Sequence, residues 1–110
     1  MEWIPIHNAA QIDAILAASF GKPQLVFKHS TRCGISMHAL DRMEKGENKL
    51  SPLIDCHYLD LLAYRAISNL IAEKWNVPHL SPQVIVLKAG KVAYTSSHSA
   101  IEPQKIVAYL

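Results

Sequence analysis

The run Leu25-Val26-Phe27 constrains this chain more than any other feature. Successive side chains of a strand point to opposite faces, so consecutive apolar residues need cover on both sides. Gln24 to His29 is therefore predicted as a central strand between two layers. The loop Ser30-Thr31-Arg32-Cys33-Gly34 follows. Ile35 to Lys45 then reads as a helix with Ser36, Ala39, Leu40 and Met43 on one side, broken by Gly46-Glu47-Asn48.

Other elements supply the cover. Residues 8–19 read as a helix, with Asn8 and Gln11 spaced as a capping box and Ile12, Ile15, Leu16 and Phe20 as one apolar stripe. Gly21 ends it, and Lys22-Pro23 forbids its continuation. A second buried strand is expected near Ile54 to Leu61. Tyr64 to Trp75 repeats the helical stripe with Ile67, Leu70, Ile71 and Trp75. Residues 76–82 form a loop. Gln83 to Lys88 and Lys91 to Thr95 flank Ala89-Gly90 as a hairpin, and Pro103 opens a last helix carrying Ile106, Val107 and Leu110 inward. A short strand is also read at Trp3-Ile4-Pro5-Ile6. Strand–helix alternation closed by a hairpin implies a mixed sheet covered by helices.

Composition narrows the function. At 110 residues the chain fits one domain, 1–110. Half its residues are apolar and 18% charged, which excludes disorder. A net charge of +2 is too small for a basic nucleic-acid face. No apolar run reaches the ~20 residues needed to span a bilayer. The start, Met1-Glu2-Trp3-Ile4-Pro5, reads as no secretory leader. Two cysteines are too few for a disulfide-stapled fold. A cytoplasmic monomer with reduced thiols, away from nucleic acid and membrane, is expected.

In an open α/β sheet, sites form beyond the carboxyl ends of strands, which points to the Ser30–Gly34 loop. Cys33 stands at that junction. A helix start offers unpaired N–H groups and partial positive charge, and both favour a thiolate. Arg32, His29 and Lys28 are placed to add cationic help. For any thiol, lowering the pKa from about 8.5 to about 6 raises the thiolate fraction and lowers its nucleophilicity by similar factors. The lasting gain is as a leaving group when a second thiol attacks a mixed disulfide, which suits a thiol carrier that turns over.

The tetrapeptide is Cys33-Gly34-Ile35-Ser36. A dithiol oxidoreductase has a second cysteine at its fourth position. Ser36 can hydrogen-bond a thiolate but cannot attack sulfur. An outside thiol must then complete the cycle unless Cys56 does, and Cys56 reads as a small core hydrophobe. Ser81-Pro82 precedes the strand Gln83–Lys88; a cis bond there would leave the Ser81 backbone free to pair with an extended substrate. The histidines His7, His29, His38, His57, His79 and His98 show no metal-ligand spacing and read mostly as surface or capping residues, so no metal is expected.

Three marks together resemble the thioredoxin-like superfamily: Cys33-Gly34-Ile35-Ser36 after a buried strand, Ser81-Pro82 before the next, and the Lys88-Ala89-Gly90-Lys91 hairpin. More narrowly, Phe27-Lys28-His29-Ser30-Thr31-Arg32-Cys33 with Ile35-Ser36 resembles the YtxJ-type proteins of the bacillithiol system. Asp60-Leu61, Ser68-Asn69, Ala72-Glu73, His79, Ser81-Pro82-Gln83-Val84 and Ser97-His98 extend the resemblance along nearly the whole chain. That family often has proline where this chain has Gly34.

The resemblance implies an α/β thioredoxin-like fold, with a mixed sheet of four to five strands flanked by helices on both faces. It implies a monothiol bacilliredoxin role: Cys33 takes bacillithiol from a thiol-modified protein, and free bacillithiol regenerates it, with no bound cofactor. In that picture the N–H groups of the next helix turn, from Gly34 onward, and Ser36 stabilise the thiolate. His29, Thr31 and Arg32 shape the approach and bind the small thiol's carboxylates. Pro82 and the Ser81 backbone align the disulfide. Two other readings stand beside it. The tetrapeptide is one residue from the Cys-Gly-Phe-Ser of monothiol glutaredoxins that carry a [2Fe–2S] cluster, but Ser96-Ser97-His98-Ser99-Ala100 lacks their Gly-Gly pair. A redox-inactive thioredoxin-like interaction module is the third.

Overall fold

A computed structural model describes residues 2–110; Met1, within the stretch read above for a leader, lies outside the described residues. The elements run β1 (Ile4–Pro5), α1 (Ala10–Ala18), β2 (Gln24–His29), α2 (Gly34–Lys45), α3 (Glu47–Leu50), β3 (Asp55–Asp60), α4 (Arg65–Trp75), β4 (Gln83–Lys88), β5 (Lys91–Ser97), a 3-10 turn (His98–Ala100) and α5 (Pro103–Val107). The five strands form one sheet in the order β1-β3-β2-β4-β5. β1, β3 and β2 are parallel, whereas β4 runs antiparallel to β2 and β5 antiparallel to β4.

β2 lies at the centre and is buried at every position, as its apolar run requires. Leu25 and Phe27 face a core completed by Ala39 and Met43 of α2, Leu50 of α3 and Ile106 of α5. Val26 faces a second core with Ile12 and Ile15 of α1 and Ile71 of α4. The capping box closes as the sequence predicts: Gln11 N–H donates to Asn8 Oδ1 at 3.2 Å, and Asn8 N–H donates to Gln11 Oε1 at 3.1 Å.

Three expectations change. Phe20 leaves the apolar stripe and is 72% exposed. The helix ends before it, and its ring lies over Gly90 at the hairpin turn. Gly90 has φ +77°, which calls for glycine, and a Cβ there would sit 2.3 Å from the Phe20 ring and push that exposed ring off the turn. Ser19 completes this contact, its carbonyl accepting from Ala89 N–H and its hydroxyl from Gly90 N–H, both at 2.9 Å. Second, the break at Gly46 ends α2 at Lys45 as expected, but Glu47 and Asn48 open a further short helix, α3, which buries Leu50. Third, β5 continues to Ser97, held by pairing with Gln83. Among the described residues, no helix is long and apolar enough to cross a membrane.

Candidate functional site

β2 delivers the chain to the carboxyl end of the parallel strands, where Ser30–Cys33 turns into α2. Cys33 is the N-cap residue, extended at φ −110° and ψ 122°. Its N–H donates to the Ser30 carbonyl at 3.2 Å, and its carbonyl accepts from Met37 N–H at 3.0 Å. The thiol is free and half-buried. The first turn of α2 carries no acidic side chain, so no negative charge there opposes a thiolate. Gly34 is exposed, with open space where a Cβ would stand. Thr31 and Arg32 are exposed on the loop.

His29 and Ser36 stand differently from the sequence reading. His29 is buried, stacked on Phe27 at 5.5 Å and 27° with Tyr58 alongside. Burial holds its pKa below the usual histidine value, against the opposing pull of the Asp60 carboxylate and the Ser36 bond. A buried neutral ring does not reach out to a ligand's carboxylate, so the expected contact with the approaching thiol is set aside. Ser36 is buried too. Its Oγ lies 2.6 Å from His29 Nδ1 and accepts from Ser30 N–H at 3.0 Å. Held between His29 and Ser30, the hydroxyl braces the base of the loop, and it has no bond to Cys33 among the described residues.

Lys28 also departs from expectation. Strand alternation turns it to the opposite face from His29, where its Nζ lies 3.2 Å from the Ser68 carbonyl oxygen of α4. It is not beside the thiol. Its signal in the sequence was a lysine inside a strand otherwise buried on both faces.

The Ser81–Pro82 bond is cis. Pro82 is buried and Ser81 half-buried. The β2–β4 register pairs Lys28 with Gln83, so continuing it sets Pro82 opposite His29 and Ser81 opposite Ser30, at the root of the Cys33 loop. Ser81 N–H and C=O have no partner among the described residues.

Cys56 is remote. It pairs with Leu25, four residues before His29, which places it about 13 Å down the sheet from the strand end. A disulfide needs Cα atoms within about 7 Å. Cys56 is buried, and burial, reinforced by the Asp55 carboxylate, pushes its thiol up to about 12. The site therefore holds one usable thiol. No cluster of three or more His, Cys, Asp or Glu suited to a metal occurs among the described residues.

The family model described as monothiol bacilliredoxin BrxC matches residues 4–106. The chain belongs to that family. The single usable thiol above agrees with the word monothiol, and bacilliredoxin membership gives the chain a thiol redox role. Among solved structures, one described as having a thioredoxin fold is 28% identical, with TM-score 0.84 over 96% of this chain and 91% of that one. Oxidised thioredoxin O2 from Arabidopsis thaliana gives TM-score 0.74 at 18% identity over 98% of this chain and 95% of its own. Fasciola hepatica thioredoxin gives TM-score 0.70 at 17% identity over 94% and 91%. The bacilliredoxin-family chain thus has the thioredoxin fold.

Proposed function

We propose that this chain removes bacillithiol, or a low-molecular-weight thiol of similar build, from protein mixed disulfides in the cytoplasm, through Cys33 alone. The observation that carries the reading is one half-buried thiol at a helix start with serine at the fourth position and the other cysteine out of reach.

The Cys33 thiolate attacks the bacillithiol sulfur of the mixed disulfide. The Cys33–bacillithiol bond forms, the substrate's disulfide breaks, and the substrate leaves as a thiolate that takes a proton from water. A free bacillithiol thiolate then attacks the bacillithiol sulfur on Cys33. Bacillithiol disulfide leaves and Cys33 returns as a thiolate. The N–H groups at the start of α2 favour the charge on Cys33 at both ends of the cycle. Thr31 and Arg32 are exposed beside the thiol and are the groups left to meet the small thiol's carboxylates.

A protein substrate suits the surroundings. Ile35, Leu62 and Leu80 are 57%, 55% and 44% exposed, in the first turn of α2, just after β3 and just before Ser81. All three segments meet the same end of the sheet, and exposed apolar groups gathered there favour protein contact.

The test is intact-mass analysis of the reduced protein mixed with a bacillithiolated test protein, with Cys33→Ser alongside. A bacillithiol adduct on Cys33, absent from the variant, is the expected result. Both proteins unchanged in mass would overturn the reading; anaerobic reconstitution with iron, sulfide and glutathione would then separate a cluster carrier from an inert module.

A further inference from the structure

A second buried polar cluster lies on the other face of β2, and thiol exchange as described makes no direct use of it. Lys28 is 0% exposed. Its Nζ lies 3.2 Å from the Ser68 carbonyl oxygen and 3.4 Å from His79 Nδ1, and the Ser68 hydroxyl lies 3.1 Å from the same Nδ1. No carboxylate partners it among the described residues. Burial, with repulsion from Arg65, lowers its pKa to about 8. A buried ammonium without a counter-charge costs stability, so core packing alone gives no reason for lysine here.

What the cluster grips is a loop. His79 lies three residues before Pro82. Gln83, paired with Lys28 across the ladder, takes a second hold: its Nε2 donates to the Pro78 carbonyl at 3.1 Å, and its Oε1 accepts from Leu80 N–H at 3.4 Å. Directly paired residues project from the same face, so Lys28 and Gln83 seize residues 78–80 together from below. The segment they hold ends at the unpartnered Ser81 backbone.

We propose that Lys28 and His79, joined through Ser68, are positioning residues for thiol exchange: they fix the loop that offers the Ser81 backbone to the substrate disulfide. This rests on the exchange reading above. The hold depends on one lone pair. His79 Nδ1 accepts only while it carries no proton. Once protonated it can no longer accept from Lys28, keeps at most a bond donated to the Ser68 hydroxyl, and faces the charges of Lys28 from β2 and Arg65 from α4.

The test compares wild type with His79→Gln, which keeps an acceptor, His79→Leu, which removes it, and Lys28→Met. Two rates are followed between pH 5.5 and 8: alkylation of Cys33 by iodoacetamide, which needs no docking, and kcat/KM for removing bacillithiol from a test protein. His79→Leu and Lys28→Met should lose about tenfold in exchange, with alkylation within about twofold of wild type. His79→Gln should keep exchange at neutral pH. It should also abolish the extra loss of exchange relative to alkylation that wild type shows below pH 6.5, since burial, Lys28 and Arg65 all keep His79 below that value. Exchange unchanged in His79→Leu, or alkylation falling in step with exchange, would overturn the proposal. Should Lys28→Met fail to fold, the His79 pair decides. Wild type without exchange at any pH would remove the underlying reading and this proposal with it, whereas exchange in wild type that all three variants match removes this proposal alone.

Discussion

Cys33 follows β2, and Cys56 lies in β3, its neighbour in the sheet. Each has a buried histidine close in sequence, His29 for one and His57 for the other. The kinds of neighbour are similar, yet the environments differ. Cys33 has left the strand and caps a helix, half-exposed, with no acidic side chain in the first turn. Cys56 remains in the ladder, buried, next to the Asp55 carboxylate. Thiol chemistry here follows from where the backbone releases the sulfur, at a strand end and helix start, and not from which residue types lie nearby.

The largest expected effect tests that contrast directly. At pH 7.4 a thiol at about 12 holds roughly three-thousandfold less thiolate than a free thiol at about 8.5. Iodoacetamide on the native protein should therefore label Cys33 and leave Cys56 untouched until denaturant is added, as read by peptide mass. Cys56→Ser should keep exchange within about twofold. Rapid native labelling of Cys56, or loss of turnover in Cys56→Ser with the fold intact, would erase the distinction.

Next is the brace at the Cys33 end. Ser36→Ala leaves the buried His29 Nδ1 and the Ser30 N–H without their partner. Urea unfolding should show a loss of about 1–3 kcal/mol. No loss would mean that Ser36 serves only the thiol.

The histidines give the third contrast, through pH. Burial holds His29 and His57 below 6.5 in the folded chain. The unfolded chain then binds more protons, so their contribution is fully present above pH 6.5 and is lost as pH falls through the folded values. Urea midpoints should be lower at pH 5.5 than at 7.5. The difference should shrink in His57→Gln, whose amide does not titrate. An equal difference in that variant would place the proton uptake elsewhere.

The smallest effect is at Gly34. The position is N1 of α2, open on its Cβ side, and Cys33 already has the extended backbone that a following proline prefers. Gly34→Pro should raise stability by about 0.4–1 kcal/mol in urea unfolding. A decrease would show that the Gly34 N–H has a structural duty.

Much of this was legible because it depends on local chain physics. Three apolar residues in succession announced β2; Asn8 and Gln11 announced the start of α1; Cys33 followed from the strand end. What escaped depends on partners distant in sequence or on the sense of strand alternation. Ser36 looked like a thiol's partner because it lies close in sequence, but the turn from β2 into α2 brings it to His29. Lys28 is five residues before Cys33, yet its face of the sheet sends it to Ser68 and His79. Phe20 fitted the helical period, but the helix stops short of it, and the hairpin claims its ring.

The aromatic column behind the site has a practical use. Trp3 stacks on Phe27 at 5.5 Å, Phe27 stacks on His29, and the Trp3 indole N–H donates to Glu44 near the far end of α2. The helix that begins at Cys33 is thus tied to a fluorophore at its other end. The chain carries its own optical label, and a change in Trp3 emission on adduct formation would time each half of the cycle in a stopped-flow instrument without any added dye.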